Sequence, residues 1–340
     1  MDFSNVIGQE PAKERLIQMV KEGRLPHALL FCGPEGVGKM ALAMAFASYL
    51  LTNPDGEDNG SIDTTNALAM LRKWEHPDLH FSYPTIKRPN MSSDHQPISN
   101  DFAQEWHEMI MQGTYFTMNQ WMKQMGATTQ QAIITGAESD ELSRVLALKS
   151  SQGGYKVSII WLPERMNVEC ANKLLKLLEE PPHQTVFILV CEEPELLLDT
   201  IKSRAQRMDM KCIDDSDMVT ALMERRALLP EDAQRIARIA NGNWLKALES
   251  LDVNSENVQF LDMFKMLMRL AYQRNVKELK RWSEIVATYG REKQRRLLSY
   301  CLRMVRENFM YNFGEPSLCY MTREEEEFSQ KFARFINEAN

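Results

Sequence analysis

The sequence predicts an α/β protein: a doubly wound parallel sheet in the first two-thirds of the chain, with all-helical segments after it. Three observations lead there. An apolar run, Ala28 to Phe31, feeds a glycine-rich turn that opens into a helix at Met40. Two further apolar runs, Tyr155–Trp161 and Thr185–Cys191, alternate with stretches of helical period. Strands buried on both faces read as continuous apolar runs, and parallel strands need crossovers between them. Beyond about Asn254 no strand pattern remains, and Phe260, Met263, Phe264, Leu267 and Met268 repeat at helical spacing.

In chain order, Ala12 to Val20 is helical, with Leu16, Met19 and Val20 on one face, and Arg24-Leu25-Pro26 breaks the pattern before the first strand. The helix from Met40 to Leu51 is apolar nearly all round, which marks it as buried. Asn53 to Gly60 is a polar, turn-rich loop. Pro84, Pro89 and Pro97 punctuate a second loop, and Asp101 to Gln124 reads as helical, anchored by Trp106, Met109, Ile110 and Phe116. Residues 85–135 together form an insertion with no evident chemistry. The helix Val168 to Glu180 stops at Pro181-Pro182, because a proline drives the preceding residue out of the α region. Leu196 to Arg204 is a short helix and a turn. Helices follow from Ser216 to Arg226 and from Pro230 to Ile239, Pro230 suiting a first helical turn. Asn241-Gly242-Asn243 is a turn, and Trp244 to Leu251 is helical again. Glu324–Glu327 reads as a solvated helix face or a helix start. The expected domains are 1–210 (α/β, carrying the insertion), 211–252 (a small helical lid) and 253–340 (a helical oligomerisation domain).

Composition narrows the function. A net charge of −7 argues against indiscriminate coating of nucleic acid, and 44% hydrophobic with 26% charged residues is ordinary for a globular chain. Cys32, Cys170, Cys191, Cys212, Cys301 and Cys319 are scattered without a C-x-x-C pair, so they read as reduced thiols. No apolar run approaches a membrane span and no signal-peptide pattern is present, so a cytoplasmic location is expected. The basic cluster Arg291, Lys293, Arg295 and Arg296 is either a solvated helix face or a set of phosphate contacts in a DNA-binding protein.

The chemistry concentrates in one loop. Gly33, Gly38 and Lys39 have the spacing G-x-x-x-x-G-K of a phosphate-binding loop, with Gly36 inside it. Such glycines turn backbone N–H groups toward phosphate at a helix N-terminus, and the lysine reaches the outer phosphates. The following position needs a hydroxyl to ligate Mg²⁺. Here it is Met40, which offers no oxygen. The loop therefore has the form of a phosphate site without its metal ligand, and weak ATP or phosphate binding stays open.

Four ordered stretches resemble the clamp-loader AAA+ family: Val6-Ile7-Gly8-Gln9; Gly23 to Phe31; Ala171 to Pro182; and Leu196 to Arg204. Similarity covers roughly 1–80 and 130–250, and the helical C-terminus matches the family's collar in type and position. The departures are as specific. Trp161 and Leu162 stand where the family's motor subunits carry Asp-Glu, with Glu164 and Glu169 further along and expected toward solvent or the helix start. The next strand ends Cys191-Glu192-Glu193 where a polar sensor belongs, and Gly242-Asn243-Trp244-Leu245 puts Leu245 in the place of a lid arginine. Residues 51–80 lack the cysteines of the family's zinc module, and His76 with His80 is not a ligand set. No zinc, no Mg²⁺ site and no resident cofactor are expected.

The resemblance implies a catalytically silent subunit of the DNA polymerase III clamp loader. It would be a rigid member of a five-subunit ring beside the gamma/tau motor and delta subunits, meeting the sliding clamp and primed DNA through that complex. It also implies that Arg204, after Ser203 and before Ala205 in a Ser-Arg-Cys-like motif, serves as an arginine finger in a neighbour's ATP site. The alternative is an active motor of the gamma/tau kind using Gly38 and Lys39.

Overall fold

Five strands pair into one parallel sheet in the order β2-β3-β4-β1-β5. They are β1 Ala28–Cys32, β2 Leu79–Ser82, β3 Lys156–Trp161, β4 Thr185–Cys191 and β5 Gln206–Asp209. The computed structural model describes residues 2–53, 64–89, 91–127, 130–151, 154–312 and 321–336. The expected loop at Asn53–Gly60 therefore lies, beyond Asn53, outside the described residues, as does Cys319. The three apolar runs became β1, β3 and β4, each buried along its whole length. Register sets Leu30 beside Leu189 and Cys32 beside Cys191. The two remaining strands, β2 and β5, carry no apolar run. They hold the sheet edges with His80, Arg207 and Asp209, where polar side chains need no full burial; Ser82, at the end of β2, is buried and donates to Glu138 Oε1 at 2.6 Å.

Alternation along the strands sorts two cores. Phe31, Ile159, Trp161, Ile188 and Val190 face one layer, and Leu30, Ile160, Phe187 and Leu189 face the other. The first layer includes α1 (Glu10–Lys21) and α2 (Lys39–Thr52), the latter buried almost all round as its composition predicts. After α3 (Thr64–Arg72) the predicted single helix 101–124 is interrupted. A 3₁₀ turn at Ser99–Phe102 leads into α4 (Ala103–Gln112), the chain extends through Gly113, and α5 (Met118–Gln124) starts afresh. Thr117 caps α5 reciprocally with Gln120, a signal strong enough to begin a new helix. The break serves packing: it delivers Tyr115 and Phe116 to the end of the sheet, and Phe116 joins Trp106 and Trp161 in an aromatic cluster.

The second layer holds α6 (Gly136–Leu146), α7 (Val168–Glu179) and α8 (Asp199–Lys202). Next come α9 (Asp215–Arg226), α10 (Pro230–Ala240) and α11 (Trp244–Tyr272). The last is longer than predicted, since no Gly or Pro between Trp244 and Tyr272 stops it. The chain divides into two compact units, Met1–Leu248 and Glu249–Asn340.

In the second unit α12 (Val276–Ala287), α13 (Arg291–Tyr311) and α14 (Arg323–Phe332) pack around Phe264, Trp282, Leu297 and Met304. The Met and aromatic stripe is thus core. The acidic run opens α14, the helix start that is one of its two readings, with Glu324, Glu325 and Glu326 in the first turn; Glu325 itself is buried, not solvated. It accepts from Tyr300 Oη at 2.7 Å and from Arg303, and from the Thr322 backbone N–H as half of a capping box. Among the described residues no helix is long and apolar enough to cross a membrane, and no cluster of three His, Cys, Asp or Glu could hold a metal ion.

Candidate functional site: a closed phosphate loop

The glycine loop lies between β1 and α2, at the carboxyl end of the sheet, and β4 beside β1 ends against it. Gly36 and Gly38 take φ of +78° and +95°, the left-handed region that favours glycine. Gly33, Gly36, Gly38 and Lys39 lie together in this turn between β1 and the start of α2.

What surrounds it is protein. A Cβ on Gly36 would sit 1.9 Å from Asn243 Oδ1, and one on Gly38 2.9 Å from Tyr115 Oη. The Trp244 N–H donates to the Gly36 carbonyl at 3.0 Å, and the Ile7 N–H donates to Tyr115 Oη at 3.0 Å. Between Lys39, Met40, Phe116, Trp161, Glu192 and Leu245 a cavity of about 20 Å³ remains. A single water needs roughly 10–15 Å³ on the same measure, so the side chains leave room between them for about one water.

Lys39 is only 4% exposed and its ammonium is used internally. Nζ donates to the Pro34 carbonyl at 2.6 Å and lies 3.5 Å from Glu192 Oε1. Burial pulls its pKa below the usual lysine range, against the field of Glu192. Burial likewise raises the Glu192 carboxyl, with Lys39 opposing. Glu164 corrects a second expectation. It turns away from solvent, and Oε1 accepts from the N–H groups of Glu192 and Glu193 at 2.8 and 3.1 Å. It thus fastens the end of β3 to the end of β4. Glu169 behaves as expected, exposed in the first turn of α7 and paired with Lys173.

An ATP–Mg²⁺ group is what a loop of this form implies, and the residues do not fit it. Met40 offers no oxygen at the metal position. Trp161 and Leu162 are 3% and 2% exposed in the apolar core, and Leu245 helps close the cavity.

Arg204 lies away from the loop, just after α8. Its guanidinium is one-third exposed, donates to the Thr200 carbonyl at 2.8 Å and pairs with Glu179 at 2.5 Å. Asp199, a conceivable partner on sequence, pairs with Lys202 instead. In the basic cluster of α13, Arg291 and Arg295 are exposed and Lys293 rests over the Tyr289 ring at 4.6 Å. Tyr115 escaped sequence reasoning, and Asn243, Glu164 and Glu192 were named in it without their contacts at the loop. Only Glu192 carried a signal, since the end of a strand paired to β1 must face the loop.

A parallel five-stranded sheet in this order, with a phosphate loop after its fourth-placed strand and helices behind it, defines a P-loop protein of the AAA+ class. The family model described as DNA polymerase III, delta subunit, matches residues 8–214, and the chain belongs to that clamp-loader family. It is 26% identical over 258 residues to DNA polymerase III subunit delta′ of Bacillus subtilis, covering 75% of this chain and 61% of that one. It is 27% identical over 248 residues to the delta′ subunit of Pseudomonas aeruginosa, covering 72% and 62%. Similarity to the tau subunit of B. subtilis is 26% over 255 residues, 74% of this chain and 37% of that one. The chain thus spans about three-fifths of the delta′ relatives' length.

Proposed function

We propose that this chain is the catalytically silent, delta′-type subunit of a cytoplasmic DNA polymerase III clamp loader. It is a rigid ring member that works with gamma/tau and delta subunits to load the sliding clamp on primed DNA. The observation that carries the silence is the closed phosphate loop: Lys39 is spent on Pro34 and Glu192, and about 20 Å³ is left where a nucleotide would need to lie. An active motor would need a metal-ligating hydroxyl at Met40 and a carboxylate at Trp161, and both positions are apolar core. Gly33, Gly36, Gly38 and Lys39 are in this reading a vestigial site that now holds the lid segment around Asn243 against the sheet. No zinc, Mg²⁺ or resident nucleotide is part of the function.

The chain's own contribution to chemistry is Arg204, with Ser203, offered to a neighbour's ATP site. A guanidinium can stabilise charge spreading over a transferring phosphoryl group. Residues 253–340 supply the collar that joins the ring, and 211–252 the lid. The test is ATP turnover by the isolated protein and by the complex reconstituted with its motor and delta subunits. The isolated chain should show none, and the complex should need it for DNA-stimulated turnover. Turnover by the isolated chain that vanishes in Lys39→Met would overturn the reading.

A further inference from the structure

A second, far larger cavity of about 460 Å³ lies on the other side of Tyr115, still within the first unit. Three arginines and two tryptophans line it, from separate elements. Arg72 ends α3 and Trp74 follows it; Arg225 and Arg226 end α9; Trp244 begins α11; Gln112 ends α4. Among the described residues no carboxylate lines this cavity, and Arg72 and Arg226 form no ion pair. Arg225 is partly engaged: it donates to the Asn5 carbonyl at 2.8 Å and stands 5.9 Å from the Trp244 ring.

Arginines at helix C-termini are common, because the dipole favours cations there. That accounts for each one singly. It does not account for three from two helices meeting at one concave surface beside the half-buried Trp74, in a chain whose net charge is −7. Guanidinium forks match phosphate oxygens bidentately, and an indole face stacks a base without regard to sequence. The volume falls within the usual range for small-ligand sites, roughly 300–1,000 Å³.

We infer that this cavity binds a nucleoside phosphate, its base against the half-buried Trp74 and its phosphate between Arg72 and Arg226. The ligand is either a free nucleotide or the end of a single strand; both present this chemistry. The site is separate from the phosphate loop, with Tyr115 as the wall between them, and the inference stands whether or not the chain belongs to a silent ring position.

The test is a titration of the full-length protein with fluorescently labelled ADP, read by anisotropy without Mg²⁺. Saturable binding at sub-millimolar concentration is expected. Each of Arg72→Ala and Arg226→Ala, both on exposed side chains, should weaken it about tenfold or more, given the worth of a charge-assisted bond. Arg291→Ala, in the exposed basic cluster of α13, should leave it within about twofold. Unlabelled ADP and a short single-stranded oligonucleotide are the competing arms, and the better competitor identifies the source; adenosine should compete at least tenfold less well. Absence of saturation with both ADP and the oligonucleotide would sink the proposal. So would full retention of binding in both arginine variants.

Discussion

Lys39 Nζ lies 3.5 Å from Glu192 Oε1, so the lysine that should meet a nucleotide meets the end of the neighbouring strand. Both groups pay for burial, the lysine with a lowered pKa and the glutamate with a raised one. Breaking one half of a buried pair strands the other, at about 3–5 kcal/mol when fully buried. Glu192 is 27% exposed, so the lower end applies. Glu192→Gln should lower unfolding free energy by up to about 3 kcal/mol, and Lys39→Met combined with it should recover most of that loss. Urea denaturation of the single and double variants measures both. An additive double variant would mean that the pair is not coupled.

Restoring the missing catalytic groups should not restore catalysis. Met40→Thr returns a hydroxyl and should give no ATP turnover, since the cavity stays at about 20 Å³ and no acid follows. Trp161 cannot be exchanged freely. It is 3% exposed, edge-on to Phe116 with ring centres 5.0 Å apart and tilted against Trp106 at 5.5 Å. Trp161→Ala should cost about 3–5 kcal/mol, as large aromatic truncations in cores do. A cost below about 1 kcal/mol would show the cluster to be loosely packed.

The fold was legible wherever burial leaves a one-dimensional trace. β1, β3 and β4 lie inside a parallel sheet, buried along their length and apolar but for Lys156, Ser158 and Thr185, so Ala28–Phe31 and Thr185–Cys191 announce themselves. β2 and β5 do not, because an edge strand of four residues can carry His80 or Asp209 without penalty. The phosphate loop was legible because its glycine spacing is local. Its closure was not. Tyr115 reaches Gly38 and Asn243 reaches Gly36 across long separations in sequence, and nothing in either segment's own pattern says what it will touch. Glu164 was misjudged for the same reason: its partners are the backbone N–H groups of Glu192 and Glu193.

Glu138 gives a pH signature. It is 6% exposed on α6, accepts from Ser82 Oγ at 2.6 Å and from the Ser99 N–H at 2.7 Å, and burial still raises its pKa above the ordinary value of 4.5. A carboxyl with a raised folded pKa binds its proton more tightly folded than unfolded. Its contribution to stability is thus full below pH 4.5 and is lost as pH rises through the folded pKa. Glu138→Gln has no proton to lose, so its unfolding free energy should fall less steeply than the parent's over that window. Parallel slopes in denaturant series across pH 4–8 would place the carboxyl at its ordinary pKa.

Arg204 carries the last prediction, because its present partner makes two variants diverge. In this chain the guanidinium is held by Glu179 at 2.5 Å and by the Thr200 carbonyl at 2.8 Å, with a third of its surface exposed. An exposed pair of this kind is worth about 0–1 kcal/mol, so it can be exchanged for a neighbour's phosphate at little cost. Arg204→Ala should leave folding and ring assembly intact while DNA-stimulated hydrolysis in the reconstituted complex falls. A finger is worth about 10³–10⁵ at the one site it serves, so the complex should lose that site's share of turnover. Glu179→Gln removes the competitor and leaves the finger, so hydrolysis should hold or rise. Arg204→Lys keeps charge without the bidentate fork and should rescue little. If Glu179→Gln lowers hydrolysis as far as Arg204→Ala does, the ion pair itself is the functional element and Arg204 acts within its own subunit.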